Sequence, residues 1–227
     1  MQNLDKLHRK LGYVFQQPEL LERALTHRSY GARNNERMEF LGDAILGYLI
    51  STELYRQFPE ATEGELSRLR ASLVKGETLA SIATELALGD YLNLGSGELK
   101  SGGHRRRSIL ADAFEAVIGA VYLDSGIDSA SALVQAFFRE RIGGLDPRTL
   151  KKDPKTRLQE HLQARGNQLP DYQVIATEGK AHEQRFRVAC QITELAEPVI
   201  GEGTSRRKAE QAAAEKMLQT LTDRDNG

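Results

Sequence analysis

Two groups of carboxylates stand where the surrounding residues call for apolar side chains. Glu36, Glu39 and Asp43 lie in the segment Asn35-Glu36-Arg37-Met38-Glu39-Phe40-Leu41-Gly42-Asp43-Ala44. Written as a helix they fall at i, i+3 and i+7, stacked on one stripe. The opposite stripe, Met38, Leu41, Ile45 and Leu49, is an ordinary core face. The acidic stripe runs on into Gly47 and Ile50, flanked by Phe40 and Leu46, so that side is predicted to be covered by something other than water. The second group is sharper: Asp112 and Glu115 are the only charges in SILADAFEAVIGAVYL, residues 108–123, with Gly119 next along their stripe. A helix of that composition is central and mostly buried. Two carboxylates about 5 Å apart repel by roughly 3 kcal/mol at an effective dielectric of 20, before any desolvation cost. The pair therefore needs cations or shared protons. A cluster of carboxylate oxygens suits Mg2+ or Mn2+, and not zinc.

The elements that must hold these groups follow from periodicity. Apolar residues recur at helical spacing through 4–15, 18–27, 36–58, 62–74, 77–88, 108–124 and 128–142, so residues 1–143 read as almost entirely helical. Pro18 sits near a helix start, and Thr62 with Glu65 forms a capping box ahead of Leu66. Residues 95–107, GSGELKSGGHRRR, read as a long loop that ends where Ser108 caps the central helix. Two glycines and two prolines between Gly143 and Pro154 break the pattern and mark a mobile linker. Beyond it the grammar changes. Lys155–Arg165 is amphipathic, three strand-like runs follow at Tyr172–Glu178, Gln184–Gln191 and Glu197–Gly203, and 206–221 is helical again, with Ala212, Ala213 and Ala214 small enough to pack on a sheet.

Bulk properties narrow the classes. The hydropathy pattern shows no apolar run near the ~20 residues that span a bilayer, and the first ten residues, MQNLDKLHRK, lack the apolar core of a signal peptide. No membrane partner and a cytoplasmic location are the expectation. The single cysteine, Cys190, excludes an internal disulfide and lies in an alternating run that reads as strand packing. A formal charge of −1 and a pI near 6.5 argue against a globally basic nucleic-acid binder. Residues 151–227 hold 13 Lys/Arg and 12 Asp/Glu, so an electrostatic footprint has to come from local clusters, His104-Arg105-Arg106-Arg107 and Arg206-Arg207-Lys208.

NERMEFLGD, residues 35–43, resembles the signature of bacterial ribonuclease III. The likeness continues through LTHRS (25–29), TEGELSRLR (62–70), GELKSGG (97–103) and ILADAFEAVIGAVYLD (109–124), and then across the C-terminal segment. Ala44 stands where that family often has Ser. The α-β-β-β-α order of the second part is similar to a double-stranded-RNA-binding domain, on the strength of Pro154-Lys155-Thr156, Leu158-Gln159-Glu160, Gly179 with His182, and Gly201-Glu202-Gly203 leading to Ser205-Arg206-Arg207-Lys208-Ala209. The resemblance implies an all-helical endonuclease domain over 1–145, a flexible linker over 146–153 and a small α+β binding domain over 154–224. It further implies hydrolysis of phosphodiester bonds in double-stranded RNA, leaving 5′-phosphate and 3′-hydroxyl ends with short 3′ overhangs, and the processing of ribosomal and other RNA precursors.

The same resemblance assigns residues. Glu39, Asp43, Asp112 and Glu115 match the family's metal ligands, where two Mg2+ ions (Mn2+ as a substitute) would activate water and stabilise the developing charge. Glu36 and Glu63 match acidic positions near the catalytic valley, more suited to engaging RNA than to holding metal. Both have plainer readings too: Glu63 suits a helix N-terminus, and Glu36 has Arg33 and Arg37 within reach. Phe40 matches a residue that enters a pocket of a second subunit in a homodimer, the alternative being packing inside its own domain. In the second domain, Thr156, Gln159 and Glu160 match minor-groove contacts, and His182 matches a residue that enters the next minor groove. Ser205, Arg206, Arg207 and Lys208 open a helix whose N-terminus attracts phosphate. Glu210 departs from the pattern, since many such domains carry Lys there. A non-catalytic binder of duplex RNA that has lost the chemistry is the runner-up, and a purely structural helical dimer a third reading. All four ligand carboxylates are present at their spacings, which favours the nuclease.

Overall fold

The computed structural model describes residues 4–147, 153–179 and 184–225. The chain folds as two compact units, residues 1–150 and 151–227.

The first unit is helical. Helices α1 (Asp5–Leu11), α2 (Pro18–Ala24), α3 (Glu36–Gln57), α4 (Glu63–Val74), α5 (Gly76–Glu85) and α6 (Ser96–Lys100) precede a long run, α7 (Arg107–Gly143). α7 is interrupted at Gly126, whose φ of 80° and ψ of −170° only glycine adopts cheaply. The two helices expected over 108–124 and 128–142 are thus the two halves of α7. Its first half is the centre of the domain: Ile109–Ala111, Ala113, Phe114 and Ala116–Val121 are buried. The second half returns to a one-sided pattern, burying Ala130, Leu133, Val134, Phe138 and Ile142. α3, α5 and α2 pack against α7. Contrary to the hydropathy expectation, α7 contains a window long and apolar enough to cross a bilayer, but most of its apolar residues belong to the core of this unit, with Tyr122, Leu123 and Ile127 exposed.

Three local expectations are corrected. The core face of α3 is centred on Gly42, Leu46, Ile50 and Leu54 with Met38 and Ile45, while Leu41 and Leu49 are only half-buried. What covers the flank of the acidic stripe is therefore α7. Residues 95–107 do not form an open loop. Gly102 turns the chain at φ +80°, and Glu98 lies against Gly103 and pairs with Arg106 at 2.8 Å, folding α6 and a short 3-10 turn at Gly103–Arg105. Ser108 does not cap α7, which starts at Arg107 after an extended Arg106 with no side-chain cap. The Thr62–Glu65 capping box is present, with Thr62 Oγ1 accepting from Glu65 N and Glu65 Oε2 from Thr62 N.

The second unit sets α8 (Pro154–Ala164) and α9 (Arg206–Asp225) with an antiparallel sheet of order β1-β2-β3, Asp171–Glu178, Arg185–Gln191 and Val199–Gly203. A bulge between Val174 and Ala176 bends β1. Leu158 and Leu162 of α8, Cys190 of β2, and Ala213, Ala214, Met217 and Leu221 of α9 form its core. The close approach of α9 to β3 is set by glycine: a Cβ on Gly201 would lie 2.1 Å from Ala213 N, and one on Gly203 2.5 Å from Ala209 N. Ala209 and Ala213 are accordingly the small residues at the crossing, with Ala212 half-buried beside them.

Candidate active site

The carboxylates meet because α3 and α7 cross on two glycines. A Cβ on Gly42 would stand 1.8 Å from the carbonyl oxygen of Glu115, and one on Gly119 would stand 2.3 Å from that of Met38. Glycine is costly inside a helix, by about 1 kcal/mol each relative to alanine, and here it allows backbone to touch backbone. Gly119 is one turn beyond Glu115 on the stripe of Asp112, and Gly42 is one turn beyond Glu39. The crossing therefore brings the two acidic stripes face to face.

Oxygen atoms of Glu39, Asp112 and Glu115 all lie within 4.8 Å of one another, and all three residues are half-buried. Burial pushes the Glu115 carboxyl up to about 8, with the charges of Asp43, Asp112 and Glu39 adding to the effect. Glu39 is raised by burial first and then by Asp112 and Glu36, against the opposing pull of Arg28. Asp112 is raised by burial and partly relieved by His27 and Arg28. Asp43 is exposed and stands outside the close trio, near enough to act on Glu115 through its charge. Such a group of oxygen donors, with no sulfur and too much negative charge for its burial, fits a hard divalent cation.

His27 and Arg28 belong to the LTHRS motif, but nothing in their local sequence gives them a task. The structure does, because it pins their segment across the domain. His27 N donates to Asn93 O at 3.1 Å, Asn93 N to Leu25 O at 2.9 Å, and Gly95 N to Ser29 Oγ at 3.0 Å. The segment forms one wall of a cleft of about 450 Å³ whose other lining includes Glu36, Glu39, Asp112 and the Glu98–Arg106 pair. Glu36 pairs with Arg28, at 3.5 Å, rather than with Arg33 or Arg37. Both members are exposed, so the pair contributes little to stability. Only tertiary placement links residue 28 to residue 36, so no local spacing could have shown it.

Other expected site residues are placed apart from the trio. Glu63 lies in the first turn of α4, accepts from Ser67 Oγ at 2.7 Å and lines a separate groove with Tyr55 and Arg70. Phe40 does not pack inside its own domain: it is 80% exposed, on the α3 face that also carries the exposed Ala44, Tyr48 and Tyr55. In the cluster Arg105–Arg107, Arg106 is engaged by Glu98, Arg107 donates to Glu77 O, and Arg105 is exposed.

In the second unit, Gln159 and Glu160 are exposed on α8, and Thr156 Oγ1 donates to the N-cap Asp153 at 2.7 Å. Ser205 Oγ accepts from Lys208 N at 3.2 Å, capping α9, and Arg206, Arg207 and Lys208 are exposed on its first turn. His182 lies outside the described residues. Glu210 is not a surface acid: it is buried and accepts from Lys155 Nζ at 2.6 Å and Arg206 Nε at 2.8 Å.

A helical domain that gathers oxygen donors at a helix crossing, followed by an α-β-β-β-α domain with a basic helix start, is equipped for a divalent cation and a polyanion. Comparison with known proteins agrees. Residues 17–142 match a family model described as ribonuclease-III-like, and residues 154–221 match the double-stranded RNA binding motif. Ribonuclease 3 of Vibrio cholerae serotype O1 is 57% identical over 220 residues, which cover 97% of this chain and 98% of that protein. The crystal structure of the nuclease domain of ribonuclease III from Campylobacter jejuni is 41% identical with a TM-score of 0.61, covering 64% of this chain and all of that one. A second structure of that domain, 42% identical over 61% of this chain and 97% of that one with a TM-score of 0.60, concerns structural flexibility in the region involved in dimer formation. The chain belongs to the ribonuclease III family: it is an endoribonuclease of double-stranded RNA, with a helical nuclease domain and a C-terminal duplex-binding domain.

Proposed function

We propose that this ribonuclease hydrolyses duplex RNA at the α3–α7 crossing, with Glu39, Asp43, Asp112 and Glu115 holding two Mg2+ ions. Bound there, the metal supplies an activated water and a counter-charge for the scissile phosphate, and Mn2+, a cation of similar hardness, substitutes. The gathering of Glu39, Asp112 and Glu115 carries this reading. Asp43, exposed beside them, completes the set from the solvent side, where the phosphate arrives. Glu115, the most strongly perturbed of the group, would hold metal as the carboxylate, so metal binding there would be linked to loss of its proton. Products carry 5′-phosphate and 3′-hydroxyl ends. No His or Cys nucleophile is required.

The exposed α3 face centred on Phe40 meets its counterpart in a homodimer. Two sites related by a two-fold axis then cut opposite strands with a short stagger, leaving 3′ overhangs. Glu36 and Glu63 engage RNA near the site. In the second domain Thr156, Gln159 and Glu160 address a minor groove, and Ser205, Arg206, Arg207 and Lys208 hold the phosphates beside it, as duplex RNA is read by shape, 2′-hydroxyls and backbone. His182 is assigned to the next minor groove. Substrates are ribosomal and other structured precursors, met in the cytoplasm.

Cleavage of a long end-labelled duplex tests the site, comparing Mg2+ with EDTA and wild type with Glu115→Gln. Metal-dependent cutting that disappears in the variant, with duplex binding retained, is the expected result. Cutting that survives in Glu115→Gln refutes the ligand assignment, and tight binding with no cutting under any divalent metal refutes the nuclease reading in favour of a non-catalytic binder.

A further inference from the structure

The buried Glu210 sits where the starts of the two helices assigned to RNA in the second domain are joined. Its carboxylate, 9% exposed as a residue, joins Lys155 in the first turn of α8 to Arg206 in the first turn of α9. Burial alone would raise its pKa, yet the hydrogen bonds from Lys155 and Arg206 hold it below the ordinary carboxylate range. The neighbouring residue repeats the connection in neutral form. Gln211 accepts from Lys155 N at 3.1 Å and donates to the α8 cap, Asp153 Oδ1, at 2.8 Å. Lys155 Nζ also lies 4.4 Å from the centre of the Tyr172 ring, which ties β1 into the same junction.

A duplex reader of this kind carries two contact sets, one for a minor groove and one for phosphates. Sequence-independent recognition depends on the distance and angle between them, because the A-form groove geometry is what is being measured. Here the minor-groove set (Thr156, Gln159, Glu160) is on α8, and the phosphate set (Arg206, Arg207, Lys208) is on α9. The shared core and the Arg157–Glu215 pair at 3.0 Å hold the two helices together, and the junction at Glu210 is the contact that ties their starts. We propose that Glu210 is a positioning residue for duplex binding, its buried carboxylate locking the starts of α8 and α9 together so that Arg206 stands in line with Arg207 and Lys208. This rests on the phosphate-binding role given above to the start of α9. It reverses the expectation drawn from charge alone. An acid next to a phosphate site should repel RNA, and replacement by lysine should tighten binding. Here the carboxylate is already taken up by two cations, Lys155 and Arg206, and is not free to face the RNA. A lysine at 210 would face Lys155 and Arg206 with their shared carboxylate gone and spread the two helix ends.

The test uses the full chain carrying Glu115→Gln, in EDTA, binding a short RNA duplex across a salt series. Glu210→Lys is expected to weaken binding by about tenfold in spite of its added charge. Adding Lys155→Glu, which restores an acid–base pair at the junction, is expected to recover most of that loss. Glu210→Gln keeps the shape of the side chain and carries the test if the lysine variant fails to fold. It should weaken binding and flatten the dependence of log K on log salt by about one phosphate contact as Arg206 loses its place. Tighter binding by Glu210→Lys with a steeper salt dependence would overturn the proposal, as would a Glu210→Gln variant with a lowered melting temperature but unchanged affinity and salt slope. A double Arg207→Ala, Lys208→Ala variant separates the two levels. If it binds as the parent does, the reading of α9 fails. If it binds weakly while Glu210→Lys binds tightly, only the positioning role falls.

Discussion

Replacing Gly42 with alanine should damage both the fold and the chemistry, and the structure sets the scale. The added Cβ would lie 1.8 Å from Glu115 O and 2.6 Å from its carbonyl carbon, both of them backbone atoms that cannot swing away. Ordinary contact begins near 3.4 Å, so α3 and α7 must part locally by roughly 1.5 Å. Overpacking of this kind costs about 1–3 kcal/mol. In a domain of this size that lowers the melting temperature by roughly 3–5 °C per kcal/mol. The chemical effect is larger. Glu39 rides on α3, one turn from Gly42, while Asp112 and Glu115 ride on α7, and their oxygens now sit within 4.8 Å of one another. Mg2+ binds oxygen at about 2.0–2.1 Å and tolerates little distortion, so separating the helices would cost the site at least one of the ligands proposed for it. A misplacement of about 1 Å is enough to cost on the order of 100-fold in rate. Calorimetry and the initial rate of duplex cleavage over a Mg2+ series measure the two effects on one preparation. Gly97→Ala is the control, since a Cβ there meets nothing within 4 Å. A Gly42→Ala protein that melts and cuts like wild type would refute the argument that the crossing builds the site.

Two other outcomes follow from the same geometry. In EDTA the folded protein keeps a proton on Glu115 up to about pH 8, whereas the unfolded chain releases it near 4.5, so this carboxyl makes stability fall as pH rises through that window. At about 1.4 kcal/mol per pH unit, discounted for the solvent that reaches a half-buried group, the loss is on the order of 2 kcal/mol. Denaturant unfolding at pH 5.5 and pH 8 should show this loss in wild type and a smaller one in Glu115→Gln, and equal losses in the two proteins would contradict it. Phe40→Ala should loosen the proposed dimer by about 100-fold, the scale of losing one large aromatic anchor at an interface. Equilibrium sedimentation reads this directly, and an unchanged association constant would place the interface elsewhere.

Much of the fold was legible because its signals are local. The capping box at Thr62, the change from helical to strand-like runs after Arg165, and the break between the two halves of α7 all lie within a few residues of what they determine. Asp112 and Glu115 were legible for a related reason: two charges in an apolar helix are conspicuous whatever packs against them. What escaped was tertiary. The segment 95–107 has the composition of a loop, and the Glu98–Arg106 pair that folds it becomes visible only once the chain has turned at Gly102. Arg28 reaches Glu36 and the acidic cleft through an anchor at residues 93–95, far away along the chain. Glu210 looked like a defect in a basic motif because its partner Lys155 is 55 positions distant.

The distribution of charge gives the two domains different parts in meeting RNA. Without metal, Glu36, Glu39, Asp43 and Asp112 surround the crossing of α3 and α7 beside a protonated Glu115, and the nearby cations of the cleft, Arg28 and Arg106, are already paired with Glu36 and Glu98. That surface would repel a phosphate backbone until divalent ions neutralise it. The start of α9 needs no metal: the exposed Arg207 and Lys208, Arg206 held beside them by Glu210, and a helix N-terminus leave it net positive in EDTA. Duplex binding by the whole chain should therefore depend steeply on monovalent salt and weakly on Mg2+, while cleavage depends steeply on Mg2+. Removal of residues 151–227 should invert this pattern, leaving binding that is weak without Mg2+ and rises with it. Binding by the truncated nuclease domain that is equally tight in EDTA and in Mg2+ would show that its carboxylates do not face the RNA.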